Sequence, residues 1–342
     1  MRGTFLLLVL TLVSCRIERV SPRGDAAAEC TTDVPSGEVW VYTSLYQNVI
    51  DGLAPLLEER LPEVELRWYR AGSEKVSNRL EAEIAAGGIQ ADLLSTSDPF
   101  IFERFRREGL LAPVASVESL KVPRSLMDAD GHYVACRIST MVLVHRADIT
   151  DAAPKTFAEL VEPRWKGRVT IGDPLSSGTA ATWITFMESE LGADYFRGLR
   201  ANRTVVAGGN SAVLQTVERG EADVGVLLLE NALAARERGS AISIVYPDDG
   251  PVIIPGYVAR IAGSRNPIAA EAVYRVLLSE EGQAAIRAGR MHAVDPALEG
   301  PAGEMSLDEL VGRAKPWTPE VRQRGLERGD EIKSAFSEAF GR

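Results

Sequence analysis

Six short segments of this 342-residue chain place hydroxyls, amides and glycines where helices are due to begin. Thr43-Ser44-Leu45-Tyr46 follows the strand-like run Val39–Tyr42, Arg70-Ala71-Gly72-Ser73 follows Val64–Tyr69, and Ser95-Thr96-Ser97-Asp98 follows Asp92-Leu93-Leu94. Farther along, Asp173-Pro174-Leu175-Ser176-Ser177-Gly178-Thr179, Gly208-Gly209-Asn210-Ser211 and Glu230-Asn231 stand in the same relation to later strands. A helix start carries unpaired backbone N–H groups and partial positive charge, which suit phosphate or carboxylate oxygens. Ser, Thr, Asn and Asp are also ordinary helix caps, and for any single loop capping is reason enough. Six such loops, spread over both halves of the chain, favour one shared polar site.

The candidate contacts are Thr43, Ser44 and Tyr46 from the first segment, Arg70 and Ser73 from the second, and Ser97 and Asp98 from the third. Ser176, Ser177, Gly178 and Thr179 form the most specific cluster, with three hydroxyls and a glycine on one helix start. Gly209, Asn210 and Ser211 rank second, and Glu230 and Asn231 complete the set. Arg70 and Arg137 would supply full positive charge in a geometry suited to an oxyanion, and each reads equally well as a solvated surface arginine.

Other chemistries find little support. In Gly208-Gly209-Asn210-Ser211-Ala212 the serine sits one residue out of place for a nucleophile elbow, and the closing glycine is missing. There is no Walker A loop and no Gly-x-Gly-x-x-Gly after a strand. His132, His145 and His292 lack metal-type spacing to one another or to a cysteine. Asp248-Asp249 precedes Gly250-Pro251 and reads as a turn. No catalytic group, metal or cofactor is expected. With 48 acidic against 38 basic residues, the net charge of −10 excludes a generally basic surface for nucleic acid.

The elements that must position these loops alternate. Strands at 39–42, 64–69 and 92–94 are separated by helices whose apolar residues recur at Ile50, Leu53, Leu57, Leu61 and at Val76, Leu80, Ile84. That order argues for a parallel sheet with right-handed crossovers. A second series begins with a capping-box pattern at Thr156–Glu159 and continues with strands at 169–171, 204–206 and 224–229. The last seventy-odd residues read as mainly helical. Two long extended stretches, 134–145 and 252–261, flank the second block and are expected to cross between two domains. The expected division is residues 38–138 plus 260–342 for a discontinuous first lobe and 139–259 for the second.

Arg2 and the nine-residue apolar run Phe5–Val13 resemble a signal peptide, too short to span a bilayer. Leu12-Val13-Ser14-Cys15 resembles a bacterial lipobox, which implies cleavage of residues 1–14, lipidation of Cys15 and a membrane anchor. Residues 15–37 then form a polar tether. An oxidising compartment would permit a Cys30–Cys136 disulfide, and two unpaired thiols fit the sequence as well.

Several motifs recur in an ordered set: Val41–Ser44, Gly72-Ser73 with Asn78-Arg79, Ala91-Asp92-Leu93, Glu108–Leu111, Trp165–Arg168, Ser177-Gly178-Thr179, Gly220–Gly225 and Ser279–Gln283. In this order they resemble the extracellular solute-binding proteins of ABC importers, in the branch with ferric-iron-binding proteins and their phosphosugar-, phosphonate- and thiamine-binding relatives. The likeness covers roughly residues 38–300. It implies an α/β type II periplasmic-binding (Venus flytrap) fold, two lobes joined by two hinge strands, acting as a monomer that holds a small-molecule ligand between them and delivers it to an ABC permease. Ferric members typically use a His or similar residue after the first strand, a Glu after the third and a Tyr-Tyr pair after the Gly-Glu-Ala-Asp strand. The corresponding places here hold Tyr46, Ser97 and Leu228-Leu229-Glu230-Asn231, without the tyrosine pair. A small organic anion such as a phosphorylated sugar or phosphonate is therefore favoured over bare iron. Thiamine and polyamines remain open, as do a role beside a membrane sensor kinase and, with the weakest support, phosphoester hydrolysis.

Overall fold

The computed structural model describes residues 34–114, 120–301 and 303–342. The signal peptide, Cys15, Cys30 and nearly all of the 15–37 tether lie outside the described residues. Among the described residues no helix is long and apolar enough to cross a membrane.

Alternating apolar residues build β1 (Gly37–Thr43) and β2 (Val64–Arg70), which pair in parallel; β1 also pairs in parallel with β3 (Leu93–Thr96). The crossovers are α1 (Gln47–Arg60) and α2 (Ser73–Ala85), as the four-residue apolar spacing requires. The second block repeats the design. Strands β6 (Val169–Gly172), β7 (Val205–Ala207) and β8 (Val224–Leu228) are parallel, with α4 (Gly178–Leu191), α5 (Asp194–Ala201), α6 (Asn210–Glu218) and α7 (Leu229–Glu237) around them. Short strands β4 (Leu111–Ala112) and β9 (Ile242–Val245) close the edges of the long ones.

Two long strands tie these blocks together. β5 (Tyr133–Arg146) and β10 (Val252–Ile261) pair antiparallel in the middle of one continuous sheet. β5 contributes Ala135 and Ile138 to the first block's core, then Met141 and Leu143 to the second's. β10 does the same in the opposite direction, with Val252 and Ile254 in the second core and Val258 in the first. These are the hinge strands, and the fold is the expected two-lobed α/β architecture. Pro255-Gly256 does not interrupt β10; the register shifts there because Cys136 of β5 bulges out of the pairing.

The first lobe is completed by α3 (Pro99–Arg107), α8 (Pro267–Leu277), α9 (Glu280–Ala288) and α10 (Leu307–Arg313), whose Leu307 and Leu310 enter the first core. The final helix, α11 (Pro319–Phe340), departs from the expected division. Its Val321, Ile332, Phe336 and Phe340 join the core of α4 and α5, so residues 319–340 pack with the second lobe rather than with the first. The reason is aromatic. Phe336 stacks on Phe340 with centroids 4.5 Å apart and meets the edge of Phe196 at 5.5 Å. The chain thus crosses between lobes a third time near Trp317, which touches both cores and donates from Nε1 to the Ile253 carbonyl at 2.8 Å.

Because Phe336 is fully buried, Phe336→Ala is expected to cost about 3–5 kcal/mol. Urea unfolding followed by tryptophan fluorescence checks this. A loss below about 1 kcal/mol would show that α11 is only loosely attached.

Candidate ligand-binding site

A cavity of about 430 Å³ lies between the lobes, where the loops after the first-block strands face the helix starts of the second block. The loop after β1 brings Ser44 and Tyr46, that after β2 brings Arg70 and Ser73, and that after β3 brings Ser97. From the other lobe come Ser176 to Thr179 at the start of α4, Gly209 to Ser211 at the start of α6, and Glu230 in the first turn of α7. The N-termini of α2, α4 and α6 therefore open onto one space. A larger cavity of about 1050 Å³ lies beyond Ile253 and Pro255; the starts of α3, α10 and α11 line it, and none of the predicted contact residues does.

Arg137 forms the floor. It is 1% exposed, on the β5 bulge, and every partner of its guanidinium is neutral. Nη1 donates to Ser95 Oγ at 3.0 Å and to Cys136 Sγ at 3.5 Å; Nη2 donates to Ser97 Oγ at 3.0 Å and Ser44 Oγ at 3.2 Å. No carboxylate among the described residues forms an ion pair with it. Gly256 makes the room: a Cβ there would fall 2.6 Å from Arg137 Cγ. Arg70, exposed at the rim, adds a second cation without a described carboxylate partner.

Opposite Arg137 is Glu230, 4% exposed. Its Oε1 accepts from Ser139 Oγ at 2.7 Å, while Oε2 is buried with no partner. Burial pushes its carboxyl up to about 7, against the smaller pull of Arg137. Burial, and then Glu230, holds the Tyr46 phenol well above its ordinary value, so it stays neutral.

Some predicted residues act as scaffold. Ser177 caps α4 by accepting from Ala180 N at 3.4 Å and shares a 3.0 Å contact with Thr179, whose Oγ1 accepts from Asn210 Nδ2 at 3.0 Å. That chain of bonds locks the starts of α4 and α6 together. Three predicted residues do not line the cavity. Thr43 is fully buried and accepts from Leu45 N at 3.0 Å, which shapes the turn. Asp98 caps α3 through Phe100 N at 3.0 Å, and burial pushes its carboxyl up to about 6. Asn231 is a bridge: its Oδ1 accepts from Tyr46 OH across the lobes at 2.8 Å, and its Nδ2 donates to Ser211 Oγ at 3.4 Å.

Ser139, Gln215 and Met291 line the cavity and were missed by sequence reasoning. Ser139 was detectable, because it lies two residues beyond Arg137 on a strand and so shares its face. Met291 arrives through an isolated bridge between His292 and Ile138, for which the sequence carries no signal. Cys136 is buried as a free thiol. One group of metal-capable side chains, Asp128, Asp130 and His132, occurs among the described residues, away from this cleft. There Asp128 Oδ2 already accepts from the backbone of both neighbours and faces His132 Nδ1 at 3.0 Å.

The lobes touch around the cavity. A Cβ on Gly178 would lie 2.7 Å from Ser73 Cβ, and one on Gly72 would lie 3.1 Å from the Ser176 carbonyl. Lys333 Nζ donates to Glu74 Oε1 at 2.9 Å on one side, and Arg290 Nε to Glu237 Oε2 at 2.8 Å on the other. This is a closed arrangement.

Comparison with known proteins agrees with this architecture. An uncharacterized protein of Haemophilus influenzae is 28% identical over 266 residues, 72% of this chain and 74% of that protein. Iron-bound HitA from Pseudomonas aeruginosa superposes with a TM-score of 0.78 at 20% identity, covering 88% of this chain and 99% of that one. AfuA from Actinobacillus pleuropneumoniae, with exogenous fructose-6-phosphate bound, gives a TM-score of 0.77 at 22% identity, covering 89% and 98%. These two are type II periplasmic binding proteins and share the fold. Residues 89–312 match the bacterial extracellular solute-binding protein family, and the chain belongs to it.

Proposed function

We propose that this protein is the solute-binding component of an ABC importer, that its cargo is a small organic anion such as a phosphorylated sugar or phosphonate, and that it is a monomer anchored to the membrane through Cys15. The observation that carries the reading is Arg137: a fully buried cation whose hydrogen-bond partners among the described residues are all neutral, on the floor of a cavity where three helices begin. An isolated buried charge costs several kcal/mol, and an incoming oxyanion would offset that cost with charge-assisted bonds. The anion needs no covalent chemistry from the protein. It gains contacts from both lobes only when they are closed, and that differential affinity drives closure.

Ferric iron is the competing cargo, by analogy with iron-bound HitA. Fe(III) favours several anionic oxygens, and among the described residues the only side chains lining this cavity that can supply them are Tyr46 and Glu230. Polyamines would need a cleft of carboxylates, and only Glu230 is present, facing Arg137.

Calorimetry and thermal shift with fructose 6-phosphate, inorganic phosphate, methylphosphonate and ferric citrate test the reading, since a ligand of the folded state raises its melting temperature. Stabilisation by at least one phosphorus anion is expected. Tight ferric binding with no response to the phosphorus compounds would overturn it. Arg137→Met is expected to weaken anion binding about 30-fold or more, the equivalent of about 2 kcal/mol, while the unliganded urea midpoint holds or rises. A lowered midpoint with unchanged affinity would make Arg137 purely structural.

Tyr46→Phe deletes the bridge to Asn231, a bond worth about 1 kcal/mol. A lower closed population is expected, read as a larger radius of gyration by small-angle scattering of the unliganded protein, with about fivefold weaker binding. An unchanged radius would show that the bridge does not hold the lobes.

A further inference from the structure

We propose that the cleft captures its anion together with one proton, held between the Glu230 carboxyl and an oxygen of the ligand, so that the cargo is an oxyanion able to share a hydrogen bond at that point. The inference rests on the anion reading above and deepens it. Its basis is geometric. Glu230 is a buried carboxyl within a cavity of about 430 Å³ that also holds Arg137, and only one of its oxygens is used, by Ser139. Oε2 has no partner, although a buried acceptor without one is costly.

The other titratable groups lining the cavity are Arg137 from β5, Tyr46 from the turn after β1 and Arg70 from the turn after β2. Arginine as a residue type does not lose its proton in proteins, and burial, then Glu230, keeps the Tyr46 phenol neutral. On α7 itself, Arg236 and Glu237 are engaged elsewhere, with Glu304 and Arg290. Glu230 is therefore the group lining the cavity that changes charge near neutrality, where burial has already moved it to about 7. An ionised ligand oxygen beside an ionised Glu230 would put two like charges in one small cavity, which disfavours the second charge. A proton taken from solvent resolves the conflict. It turns Oε2 into a donor to a phosphoryl oxygen, or equally leaves a ligand O–H donating to the carboxylate; the net balance is one proton bound in either case.

The sign follows. Below about pH 7 the unliganded carboxyl is already protonated and capture needs no further proton; above it, each ligand must bring one, so affinity falls about tenfold per pH unit. Calorimetry of the purified protein with fructose 6-phosphate, inorganic phosphate and sulfate, in buffers of differing ionisation enthalpy, counts the protons. Uptake approaching one proton per ligand is expected at pH 8.5; at pH 6 it is expected to fall to near zero for sulfate and to turn into a net release for the phosphorus anions, which are partly protonated there themselves. Sulfate, which carries no proton of its own at these pH values, is expected to show the same uptake at pH 8.5, and that places the proton on Glu230; uptake with the phosphorus anions alone would place it on the ligand. Glu230→Gln, neutral at every pH, is expected to bind with no proton uptake and no tenfold-per-unit slope, and to exceed the wild type at pH 8.5. Binding by the wild-type protein without proton uptake at pH 8.5 would overturn the inference and leave the anion reading standing. Failure of all three anions to bind would remove the anion reading, and this inference with it.

Discussion

A guanidinium held in the interior by serines is the constraint around which this protein is arranged. Arg137 could not lie here beside any residue but glycine at 256, because its side chain passes over that position at a distance that a Cβ would block. The bulge at Cys136 aims it, the glycine admits it, and Ser44, Ser95 and Ser97 hold it in one geometry. Those hydroxyls satisfy its donors without neutralising its charge. A carboxylate in their place would have produced an inert internal ion pair; hydroxyls leave the positive charge available to whatever enters the cleft. The dipoles of α2, α4 and α6 point the same way, so the interior is locally cationic in a chain of net charge −10.

The same arrangement links binding to closure. The lining of the cavity is divided between the lobes, and β5 and β10 run through both cores, so the lobes can rotate without losing their connection. Among the described residues the closed state is held at its rims by the Tyr46–Asn231 bond, the close approach of Gly178 to Ser73, and ion pairs at Glu74, Arg290 and Glu304, the last of which also accepts from Tyr246 OH. An equilibrium balanced on such contacts responds to a ligand that bridges the two halves. The third crossing at Trp317 adds a strut behind the hinge, on the side facing the larger cavity.

Much of this was legible in the residues. The alternation of strands and helices and the parallel pairing follow from apolar spacing at Ile50, Leu53, Leu57 and at Val76, Leu80, Ile84, the two crossing strands from the long extended stretches 134–145 and 252–261, and every one of the six polar segments contributes a residue to the cleft or its bridge. What was not legible depends on contacts between distant parts of the chain. Arg137 reads equally well as a surface residue, because its burial is decided by Gly256, over a hundred positions away. Thr43 and Asp98 carry the right chemistry yet spend it on turns and caps, a choice that local composition cannot reveal. The tail from residue 319 was grouped with the nearer lobe by its order in the chain, whereas Phe336, stacked on Phe340, finds its other aromatic partner, Phe196, in the second lobe.

Mass spectrometry under native conditions, on protein purified without refolding from cells that supply its natural cargo, bears most directly on the claim that the buried guanidinium awaits an oxyanion. The account predicts an added mass that is released by denaturation and fragments as a small organic anion carrying phosphorus, lost in Arg137→Met. Retention of ferric iron with no organic anion, or of an organic cation, would contradict it.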